Sequence, residues 1–494
     1  ADISVMVCED QEQTDKLLQA RANLPALRKI VVMETKGLRS FTPEERALII
    51  PFAEVEQLGA ASLAQATIDA ALAAQTLDDI GLIIYTSGST GKPKGAMLSW
   101  RNIRGVVPGI VERLQLHRDS SHLSYLPLCH VAEQMLTSFV PAYLGSQVNF
   151  GESIRTVQED LREVAPSIFL GVPRIWEKMH ATLAIKRQEA GGLRGALFDR
   201  ALAACAPLAD KARADWSLGE RARFAWHYWL VFRALQNFCG LRRTQVALTG
   251  AAPIPPDVVR FFRVIGVPLI EVYGLTESSG MVTGHPIDHV VIGTVGTPTV
   301  GVEHRIGAQG ELLLRGEMVF AGYYKNPEAT AQSIQNGWLH TGDVVREDSG
   351  QLKIVDRLKD IMITAGGKNL TPSEIENTMK ASPYIKECIV VADARRFVSA
   401  LVMIDFDTVA QWAQAQRIAF THFRSLVELP VVRELVEQEV ARGNAKLAQV
   451  SQIRKFHLLT KELDHDDGEV TATMKVRRSS IYKTYADEIE ALYA

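Results

Sequence analysis

The segment YTSGSTGKPKG, residues 85–95, holds the residues best suited to bind phosphate. Glycines, lysines and small hydroxyl residues follow the apolar run IGLII directly. A tight loop of this composition turns backbone N–H groups, hydroxyls and ammonium groups toward one point, as several phosphate oxygens require. A flexible Gly/Ser-rich turn is the alternative, but turns seldom need two lysines flanking a proline. The candidate phosphate ligands are Thr86, Ser87, Gly88, Ser89, Thr90, Gly91 and Lys94.

This segment does not fit GxxxxGK[ST], the phosphate loop that opens a helix. The short apolar run AMLS follows Gly95, so we expect a loop between two strands. Ser99 should then cap a helix that begins at Trp100.

A second group of candidates lies in TGAAP and VYGLTES, where two further strands are expected to end. Small residues at these ends can leave a flat slot for a planar ring, and they are Gly250, Ala251, Ala252 and Gly274. Tyr273 could stack on such a ring. Thr276 and Glu277 follow at once, with a hydroxyl for a phosphate and a carboxylate for Mg²⁺.

Two further side chains have both a structural and a functional interpretation. His130, in LPLCHVAEQ, either caps a helix or lines a ligand pocket at the end of a strand. Asp343, in HTGD, either forms an Asx-turn or accepts two ribose hydroxyls with its carboxylate. The residues alone leave both pairs of alternatives open.

The composition is that of an ordinary globular protein of two or three domains, with 494 residues, 47% hydrophobic, 22% charged and a net charge of −3. This balance, without a long basic run, argues against nucleic acid as a main partner. Five scattered cysteines indicate a reducing compartment rather than a disulfide framework. The longest apolar runs fall short of the roughly 18 residues that span a bilayer. The sequence opens like a strand and without Met, so we expect it to be part of a longer gene product.

Apolar periodicity predicts a βαβ unit in residues 1–34, made of ISVMV, EQTDKLLQARANL and KIVVM. TPEE, from Thr42, should begin a helix. Residues 173–240 are expected to be helical, and their second half, RARFAWHYWLVFRALQNF, mixes aromatic residues with arginines. We favour a buried core helix for this second half, with a membrane surface or a tunnel mouth as the alternatives.

The charged segment DRLKD, residues 356–360, predicts a domain boundary, because a fresh pattern of strands and helices follows it. We therefore expect a large domain over 1–355, a hinge over 356–360 and a small domain over 361–494. A helix should begin in this small domain with Thr371 at its N-cap and Pro372 after it. Near the end, Lys475 stands between Met474 and Val476, an unusual apolar setting for a lysine.

These blocks, taken in order, resemble the adenylate-forming (AMP-binding) superfamily of acyl-CoA synthetases, aryl-CoA ligases, luciferases and peptide-synthetase adenylation domains. The resemblance covers the whole chain and rests on YTSGSTGKPKG, LPLCHVAEQ, VYGLTES, GELLLRG, WLHTGD, DRLKDIMITAGGKNLTPSEIE and the C-terminal lysine segment. GVPRIWEKMH, the long spacing from His130 to Tyr273 and the ending VTATMKVRR are most similar to bacterial long-chain fatty acyl-CoA synthetases.

The resemblance implies an α/β fold. Its large N-terminal domain would hold parallel and mixed sheets flanked by helices, with a β-rich subdomain, and its small, mobile C-terminal domain would be α+β. Family members usually carry on the order of a hundred further residues before the equivalent of Ala1. We therefore expect the N-terminal part of the large domain to be absent from this sequence.

The resemblance also implies a two-step reaction. A fatty carboxylate attacks the α-phosphate of MgATP and releases pyrophosphate, and the thiol of coenzyme A then displaces AMP. Transfer to a carrier protein, or activation of an aryl or medium-chain acid, is the alternative. A catalytically silent binding protein would be expected to lack Glu277, Asp343 or Lys475, and all three are present.

Carried onto this sequence, the family's roles fall on the residues identified above. Ser87, Ser89, Thr90 and Lys94 would hold the β- and γ-phosphates, Thr276 the α-phosphate and Glu277 the Mg²⁺. Tyr273 would stack on adenine, Asp343 and Arg357 would bind the ribose, and Lys475 would bridge the carboxylate and the α-phosphate. His130 would lie beside the acyl chain or the pantetheine channel. Lys359 matches the pivot of a domain rotation that would bring Gly366, Gly367 and Lys368 to the site for the thioester step.

The expected partners are fatty acid, ATP and coenzyme A, with Mg²⁺ as cofactor. We expect a cytoplasmic protein that does not bind nucleic acid. Peripheral contact with the inner membrane surface, and a homodimer, are left open.

Overall fold

The computed structural model of the protein describes residues 2–38, 41–62, 65–86, 93–286, 289–464, 467–471 and 476–494. The chain divides into two compact units, Ala1–Asp79 and Ile80–Ala494. The secondary structure of the first unit is β1 (Val5–Cys8), α1 (Gln11–Gln19), β2 (Lys29–Val32), α2 (Pro43–Leu48), β3 (Ile49–Pro51), α3 (Phe52–Ser62) and α4 (Gln65–Ala73).

The first unit contains the predicted βαβ arrangement. Strands β1, β2 and β3 pair in parallel, with β2 in the middle. Ile30 and Val32 of β2 are fully buried and form a small core with Cys8 and Leu27. Thr42 caps α2 in a reciprocal capping box with Glu45, which confirms the predicted helix start.

The second unit begins with a β-hairpin and an α/β layer. Its elements are β4 (Ile80–Thr86), β5 (Lys94–Ser99), α5 (Trp100–Arg113), β6 (Ser121–Ser124), α6 (Val131–Gln134), α7 (Val140–Leu144), β7 (Gln147–Phe150), α8 (Val157–Val164), β8 (Ile168–Leu170), α9 (Pro173–Ala190), α10 (Gly192–Cys205), α11 (Leu218–His227), α12 (Arg233–Cys239), β9 (Val246–Thr249), α13 (Pro256–Val264), β10 (Leu269–Leu275), β11 (Gly280–Gly284) and β12 (Thr297–Pro298). Two π-helical turns, Met135–Phe139 and Tyr228–Phe232, join α6 to α7 and α11 to α12.

The main sheet of this unit has the order β12-β11-β10-β9-β8-β6-β7. Strands β10, β9, β8, β6 and β7 pair in parallel. Strand β11 pairs antiparallel with both β10 and β12. Both faces are buried, since Ile168 and Leu170 of β8 face one core and Phe169 between them faces the other. Continuous apolar strands of this kind are typical of parallel sheets covered by helices on both sides.

A β-rich part and a final α+β part complete the second unit. Their elements are β13 (Glu303–Ile306), β14 (Glu311–Arg315), β15 (Gly322–Tyr323), α14 (Pro327–Ser333), β16 (Ile334–Gln335), β17 (Trp338–Asp348), β18 (Gln351–Arg357), β19 (Met362–Ile363), β20 (Asn369–Leu370), α15 (Pro372–Lys380), β21 (Ile385–Val391), β22 (Val398–Ile404), α16 (Phe406–Ala415), α17 (Phe423–Val427), α18 (Pro430–Asn444), β23 (Ile453–Leu458), α19 (Arg478–Thr484) and α20 (Ala486–Tyr493). Strands β13, β14, β17, β16 and β18 form an antiparallel sheet. Strands β21, β22 and β23 form a separate mixed sheet, in which β22 pairs antiparallel with β21 and parallel with β23. The α/β fold class is confirmed.

The segment after residue 361 packs largely on itself, around an apolar core that includes Ile375, Val390 and Val402. Arg174 of α9 contacts this part at Asp405, with a 3.0 Å ion pair, and donates a hydrogen bond to the carbonyl of Lys386. The division into 1–355, 356–360 and 361–494 stays a prediction.

Two details differ from the expectations. Strand β6 ends at Ser124, short of the predicted end at Pro127, and Pro127 accepts the N–H of His130 in a turn. Thr371 takes the predicted N-cap position of α15, but its side chain makes no capping hydrogen bond. Instead Asp356 accepts hydrogen bonds from the backbone N–H and the hydroxyl of Ser373 in the first turn. The carboxylate of Asp356, in the predicted hinge, thus takes the place of the expected Thr371 cap.

Within the described part of the chain, every helix is too short or too polar to cross a bilayer.

Candidate active site

The predicted phosphate loop joins β4 and β5, two antiparallel strands whose pairing runs up to Thr86 opposite Lys94. This confirms a loop between strands. The helix after it begins at Trp100 with Ser99 as its cap, also as predicted. The predicted phosphate ligands Ser87, Gly88, Ser89, Thr90 and Gly91 lie outside the described residues.

The base of this loop lies against a second functional segment. Strand β5 also pairs with β15, which sets Tyr323 opposite Ala96. The ammonium group of Lys94 lies 5.1 Å from the ring centroid of Tyr323, within cation–π range. The hydroxyl of Tyr323 donates a 2.6 Å hydrogen bond to Oε1 of Glu277. Lys94, Tyr323 and Glu277 therefore form one connected group, called here the phosphate-side cluster.

Burial and the neighbouring Glu277 carboxylate both raise the pKa of Tyr323, so its hydroxyl stays a donor across the physiological range. The sequence analysis did not single out Tyr323, although it stands in the motif-like run AGYYKN.

Thr276 and Glu277 lie in a short turn directly after β10, and buried serines fix that turn. The hydroxyl of Ser278 accepts the N–H of Leu275 at 2.9 Å, and the hydroxyl of Ser279 donates to the carbonyl of Met318 at 2.8 Å. The carbonyl of Glu277 accepts the N–H of Phe320 at 3.0 Å. The backbone beneath the Glu277 carboxylate is thus held from three directions.

The residues of the predicted slot lie where β9 and β10 run side by side, with Thr249 opposite Glu271. Gly250 follows β9, and a Cβ there would lie 2.9 Å from the carbonyl oxygen of Val272. At Gly274 a Cβ would lie 1.8 Å from the carbonyl oxygen of Gly280, so a side chain cannot be accommodated. Ala251 and Ala252 complete the turn, exposed, with φ of +69° at Ala251. The structure therefore brings this turn beside the strand that carries Tyr273.

Tyr273, Asp343 and Arg357 form a second group, called here the ribose-side cluster. Tyr273 donates a 2.6 Å hydrogen bond to Oδ2 of Asp343, and Nε of Arg357 lies 3.1 Å from Oδ1. Asp343 and Arg357 are also direct partners across strands β17 and β18. Asp343 is buried, at 4% exposure, and each of its oxygens keeps capacity for a further donor.

The two clusters influence one another electrostatically. Burial, followed by the charge and hydrogen bond of Asp343, raises the pKa of Tyr273 well above its ordinary value. The positive charge of Arg357 acts in the opposite sense, lowering the pKa of both Tyr273 and Tyr323. The pKa of Lys359 is lowered by burial, with a smaller contribution from the charge of Arg357.

The backbone around Asp343 is held by Glu311 of β14, another residue that the sequence analysis missed. The Glu311 carboxylate accepts the N–H of Gly342 at 2.9 Å and contacts Nδ1 of His340 at 2.9 Å. The hydroxyl of Thr341 accepts the N–H of Asp343 at 3.1 Å. Glu311 belongs to GELLLRG, so the motif was noticed while the role of its carboxylate was not.

His130 occupies the N-cap of α6, where its Nδ1 accepts the N–H of Ala132 at 3.2 Å. Its capping interpretation is therefore confirmed, while its place beside an acyl chain stays a prediction. Burial lowers the pKa of His130, against an opposing effect of the Glu133 charge. The helix packs near the candidate site, because a Cβ at Gly280 would lie 3.1 Å from Cγ of Met135.

The residues predicted for the thioester step form the turn between β19 and β20, away from regular packing. Gly366, Gly367 and Lys368 are exposed, and Gly367 has a φ of +74° that favours glycine. The N–H of Lys368 donates to the hydroxyl of Thr364 at 3.1 Å. Their role stays a prediction. Lys475 lies outside the described residues.

Both clusters suit a ligand with phosphates and vicinal hydroxyls. At the base of the loop the ammonium group of Lys94 can bind an anion, and the carboxylate and guanidinium of the ribose-side cluster can bind hydroxyl groups. Within the described residues, groups of three or more His, Cys, Asp and Glu that could hold a metal by themselves are absent.

Comparison with known proteins decides the family. The AMP-binding enzyme model matches residues 1–324, and the model of the AMP-binding enzyme C-terminal domain matches residues 359–494. The chain belongs to the AMP-binding enzyme family. The resemblance drawn from the sequence motifs is thereby confirmed.

Relatives of this AMP-binding enzyme include a putative fatty-acid–CoA ligase, fadD11, of Mycobacterium tuberculosis, which is 37% identical over 84% of this chain and 74% of its own length. The long-chain-fatty-acid–CoA ligase FadD15 of Mycobacterium bovis is 32% identical over 99% of this chain and 80% of its own. Among solved structures, the A-PCP didomain of a carboxylic acid reductase from Segniliparus rugosus, in complex with AMP, has a TM-score of 0.71 at 22% identity. That match covers 99% of this chain and 65% of the other, and it supports the fold.

Glu271, on the strand that carries Tyr273, should make the stability of this AMP-binding enzyme pH-dependent. Burial raises the pKa of its carboxyl from 4.5 to about 8, against opposing effects of the Gly293 N–H and of the Lys353 charge. Between these values the folded state keeps a proton that the unfolded chain has lost, so the free energy of unfolding falls as pH rises toward 8. The nearby His285 acts in the opposite sense below pH 6.5, because its pKa is lowered from 6.5 to about 4 in the folded state, so the fall due to Glu271 is clearest above pH 6.5.

We therefore expect Glu271→Gln to flatten this fall. The variant should match the wild type near pH 5 and exceed its free energy of unfolding at pH 9 by at least about 1 kcal/mol, since one pKa unit corresponds to roughly 1.4 kcal/mol. Urea unfolding between pH 5 and 9 measures this, with Glu163→Gln on the exposed side of α8 as control. Equal pH profiles for wild type and Glu271→Gln would contradict the burial argument.

Proposed function

We propose that this AMP-binding enzyme is an ATP-dependent long-chain fatty-acid–CoA ligase. The relatives described above support the substrate class, because they are named as fatty-acid–CoA ligases and this chain matches most of their length. The observation that carries the proposal is the pair of linked clusters, with Lys94, Tyr323 and Glu277 on one side and the Tyr273–Asp343–Arg357 group on the other.

In the first step, a carboxylate oxygen of the fatty acid forms a bond to the α-phosphorus of ATP, and pyrophosphate leaves with the bonding electron pair. In the second step, the thiol sulfur of coenzyme A bonds to the acyl carbonyl carbon and gives up its proton, and AMP leaves. Charge spreads over phosphate oxygens in the first step, so positioned cations and donors supply most of the catalysis. Lys94 and the phosphate loop would hold the leaving pyrophosphate.

The remaining roles are also part of this proposal. Thr276 would contact the α-phosphate, and Lys475 would lie between the two reacting anions. Tyr273, whose ring is oriented by its bond to Asp343, would stack on adenine next to the turn at Gly250. Asp343 and Arg357 would bind the ribose hydroxyls. Lys359 would serve as the pivot of a domain rotation that withdraws Lys475 from the site and brings the exposed turn at residues 366–368 to it.

We propose Mg²⁺ as the metal of the adenylation step, and the residues fit it. Mg²⁺ is ordinarily held by one or two carboxylates together with substrate phosphates and water. Glu277 supplies one carboxylate, fixed by Tyr323 and by the turn beneath it. When bound, Mg²⁺ would neutralise phosphate charge.

Tyr323→Phe should weaken the dependence on MgATP without abolishing turnover. The variant keeps the ring under Lys94 but loses the hydrogen bond that orients Glu277, and such bonds to charged groups contribute roughly 1.5–3 kcal/mol. We expect the apparent Mg²⁺ affinity to fall by about tenfold, with a smaller change in kcat. Pyrophosphate exchange measured over a Mg²⁺ titration tests this, and Tyr324→Phe at the neighbouring position is the matched control. An unchanged Mg²⁺ dependence would show that Tyr323 does not position Glu277.

Release of AMP separates the ligase from its alternatives. A fatty-acid–CoA ligase should release AMP continuously when ATP, palmitate and coenzyme A are all present, and only about one equivalent when coenzyme A is omitted. Continuous release with an aromatic acid but not with palmitate would replace the proposed substrate. Pyrophosphate exchange together with AMP release that coenzyme A does not increase would indicate transfer to a carrier protein.

We further propose a cytoplasmic location. It is supported by the free cysteines, of which Cys8, Cys205, Cys239 and Cys388 are buried and Cys129 is exposed, as expected in a reducing compartment. The homodimer left open by the sequence stays a prediction.

A further inference from the structure

The long helix of residues 218–239 has an unusual exposed side. It consists of α11, the π-helical turn Tyr228–Phe232 and α12. One side enters the core, where Val231 and Phe232 are buried. On the other side Trp226 is 66% exposed, Trp229 65% and Leu230 48%. These three side chains are called here the tryptophan face.

The preferred sequence interpretation of this segment, a buried core helix, holds for one side of the helix and does not cover the tryptophan face. A buried core helix accounts for Val231, Phe232 and the residues packed beside them, but not for two large aromatic side chains that stand in solvent. Scattered exposed apolar residues are ordinary, whereas adjacent exposed tryptophans on one helix mark an interaction surface.

Arginines flank the tryptophan face along the helix, with Arg223 three residues before Trp226 and Arg233 four residues after Trp229. Glu220 is the one acid between residues 218 and 243, and its carboxylate is paired with Lys211 at 2.6 Å. The same stretch contains five arginines, whereas the whole chain has a net charge of −3. They are Arg221, Arg223, Arg233, Arg242 and Arg243. The guanidinium of Arg233 lies over the ring of Trp229, 4.6 Å from its centroid.

We propose that the tryptophan face binds the surface of an anionic lipid bilayer. Indole rings settle at the level of the lipid headgroups, where their apolar body and polar N–H are both satisfied. Arginines beside them bind lipid phosphates in the fork geometry that guanidinium favours, and basic clusters add attraction to anionic leaflets. The use of such binding rests on the proposed function: long-chain fatty acids partition into membranes, and an enzyme bound there could take them up directly.

A second copy of this chain suits the tryptophan face less well. A symmetric dimer through this face would bring two identical basic patches together. Like charges placed across an interface are unfavourable, and the segment offers one paired acid to compensate for five arginines. A bilayer that contains anionic lipid provides the opposite charge.

Vesicle sedimentation tests this proposal with the purified protein and without any ATP, fatty acid or coenzyme A. Vesicles of phosphatidylcholine with roughly one third phosphatidylglycerol should bind the wild type about tenfold better than pure phosphatidylcholine vesicles. Trp226→Ala combined with Trp229→Ala should reduce that binding by about tenfold. Arg223→Glu combined with Arg233→Glu should remove the preference for anionic vesicles. Phe150→Ala, which removes a 74% exposed aromatic residue on β7, should bind like the wild type.

Two further measurements keep the outcome clear. Circular dichroism checks that each variant is folded, and pyrophosphate exchange with water-soluble octanoate should be unchanged in the tryptophan variant, so loss of vesicle binding is separable from loss of activity. Failure of the wild type to bind anionic vesicles, or equal binding by the tryptophan variant, would overturn the proposal. So would sedimentation equilibrium showing a wild-type dimer that the tryptophan variant abolishes while vesicle binding persists, since a second copy would then be the occupant.

Discussion

Glu277→Gln should lower kcat/KM for fatty-acid activation by about a hundredfold or more, with the fold intact. Glutamine keeps the size of the side chain and can still accept the Tyr323 hydroxyl, so the change removes mainly the negative charge. The carboxylate would act through the Mg²⁺ that it holds, and loss of a group that stabilises developing charge in a preorganised site typically costs about 10²- to 10³-fold in rate. Fatty-acid-dependent pyrophosphate exchange at saturating Mg²⁺ measures the effect.

Glu317→Gln provides the matched control for that change. Glu317 lies 3.7 Å from Arg101 and 3.9 Å from Arg104, in half-exposed ion pairs. Exposed pairs of this kind contribute little, so the control should keep nearly full exchange activity. If Glu277→Gln also kept it, Glu277 could not be the group that holds the metal.

Asp343→Asn should raise the KM for ATP by about tenfold to a hundredfold and lower thermal stability as well. The wild-type carboxylate accepts the Tyr273 hydroxyl and pairs with Arg357 while buried. Asparagine keeps the shape but leaves the guanidinium without its counter-charge, and hydrogen bonds to charged groups are worth roughly 1.5–3 kcal/mol each. The ribose would lose the strongest acceptor of the ribose-side cluster.

Two readouts separate binding from folding for Asp343→Asn. Calorimetric titration with AMP reports nucleotide affinity without catalysis, and thermal unfolding reports stability. Asp348→Asn, near the end of the same strand, where the carboxylate accepts a hydrogen bond from Ser349, is the control and should leave AMP affinity unchanged. A destabilised Asp343→Asn variant with wild-type AMP affinity would mean that the cluster is structural only.

Local sequence signals predicted the framework of this site well, because they depend on few neighbours. Apolar runs on both sides of the phosphate loop predicted the β4–β5 hairpin, and Ser99 predicted the start of α5. The expected proximity of the small residues after β9 and within β10 is confirmed, because the two strands lie side by side, whereas a slot for a planar ring stays a prediction.

The connections between distant segments could not be predicted in this way. The Tyr323–Glu277 hydrogen bond joins residues 46 positions apart, and it depends on β15 pairing with β5. Glu311 supports the part of β17 just before Asp343 across a strand pair whose register has an irregularity, which periodicity cannot reveal. Such contacts follow from tertiary packing rather than from any local pattern.

The helix of residues 218–239 shows the same limit in another form. Its composition was ambiguous between core and surface, and only the packing of Phe232 against one core determines that Trp226 and Trp229 face solvent. The π-helical turn Tyr228–Phe232, which contains Trp229, also shifts the helical register after Trp226, so a regular helical repeat would misplace the side chains that follow.

Pyrophosphate exchange over a series of saturated fatty acids of increasing length tests most directly whether this AMP-binding enzyme activates long-chain fatty acids by adenylation. We expect exchange to rise with chain length and to be supported by long-chain acids, and we expect Lys475→Ala to reduce it by about a hundredfold, as for loss of a cation between two reacting anions. Absence of exchange with every fatty acid, or a Lys475→Ala variant that exchanges as well as the wild type, would contradict the assignment.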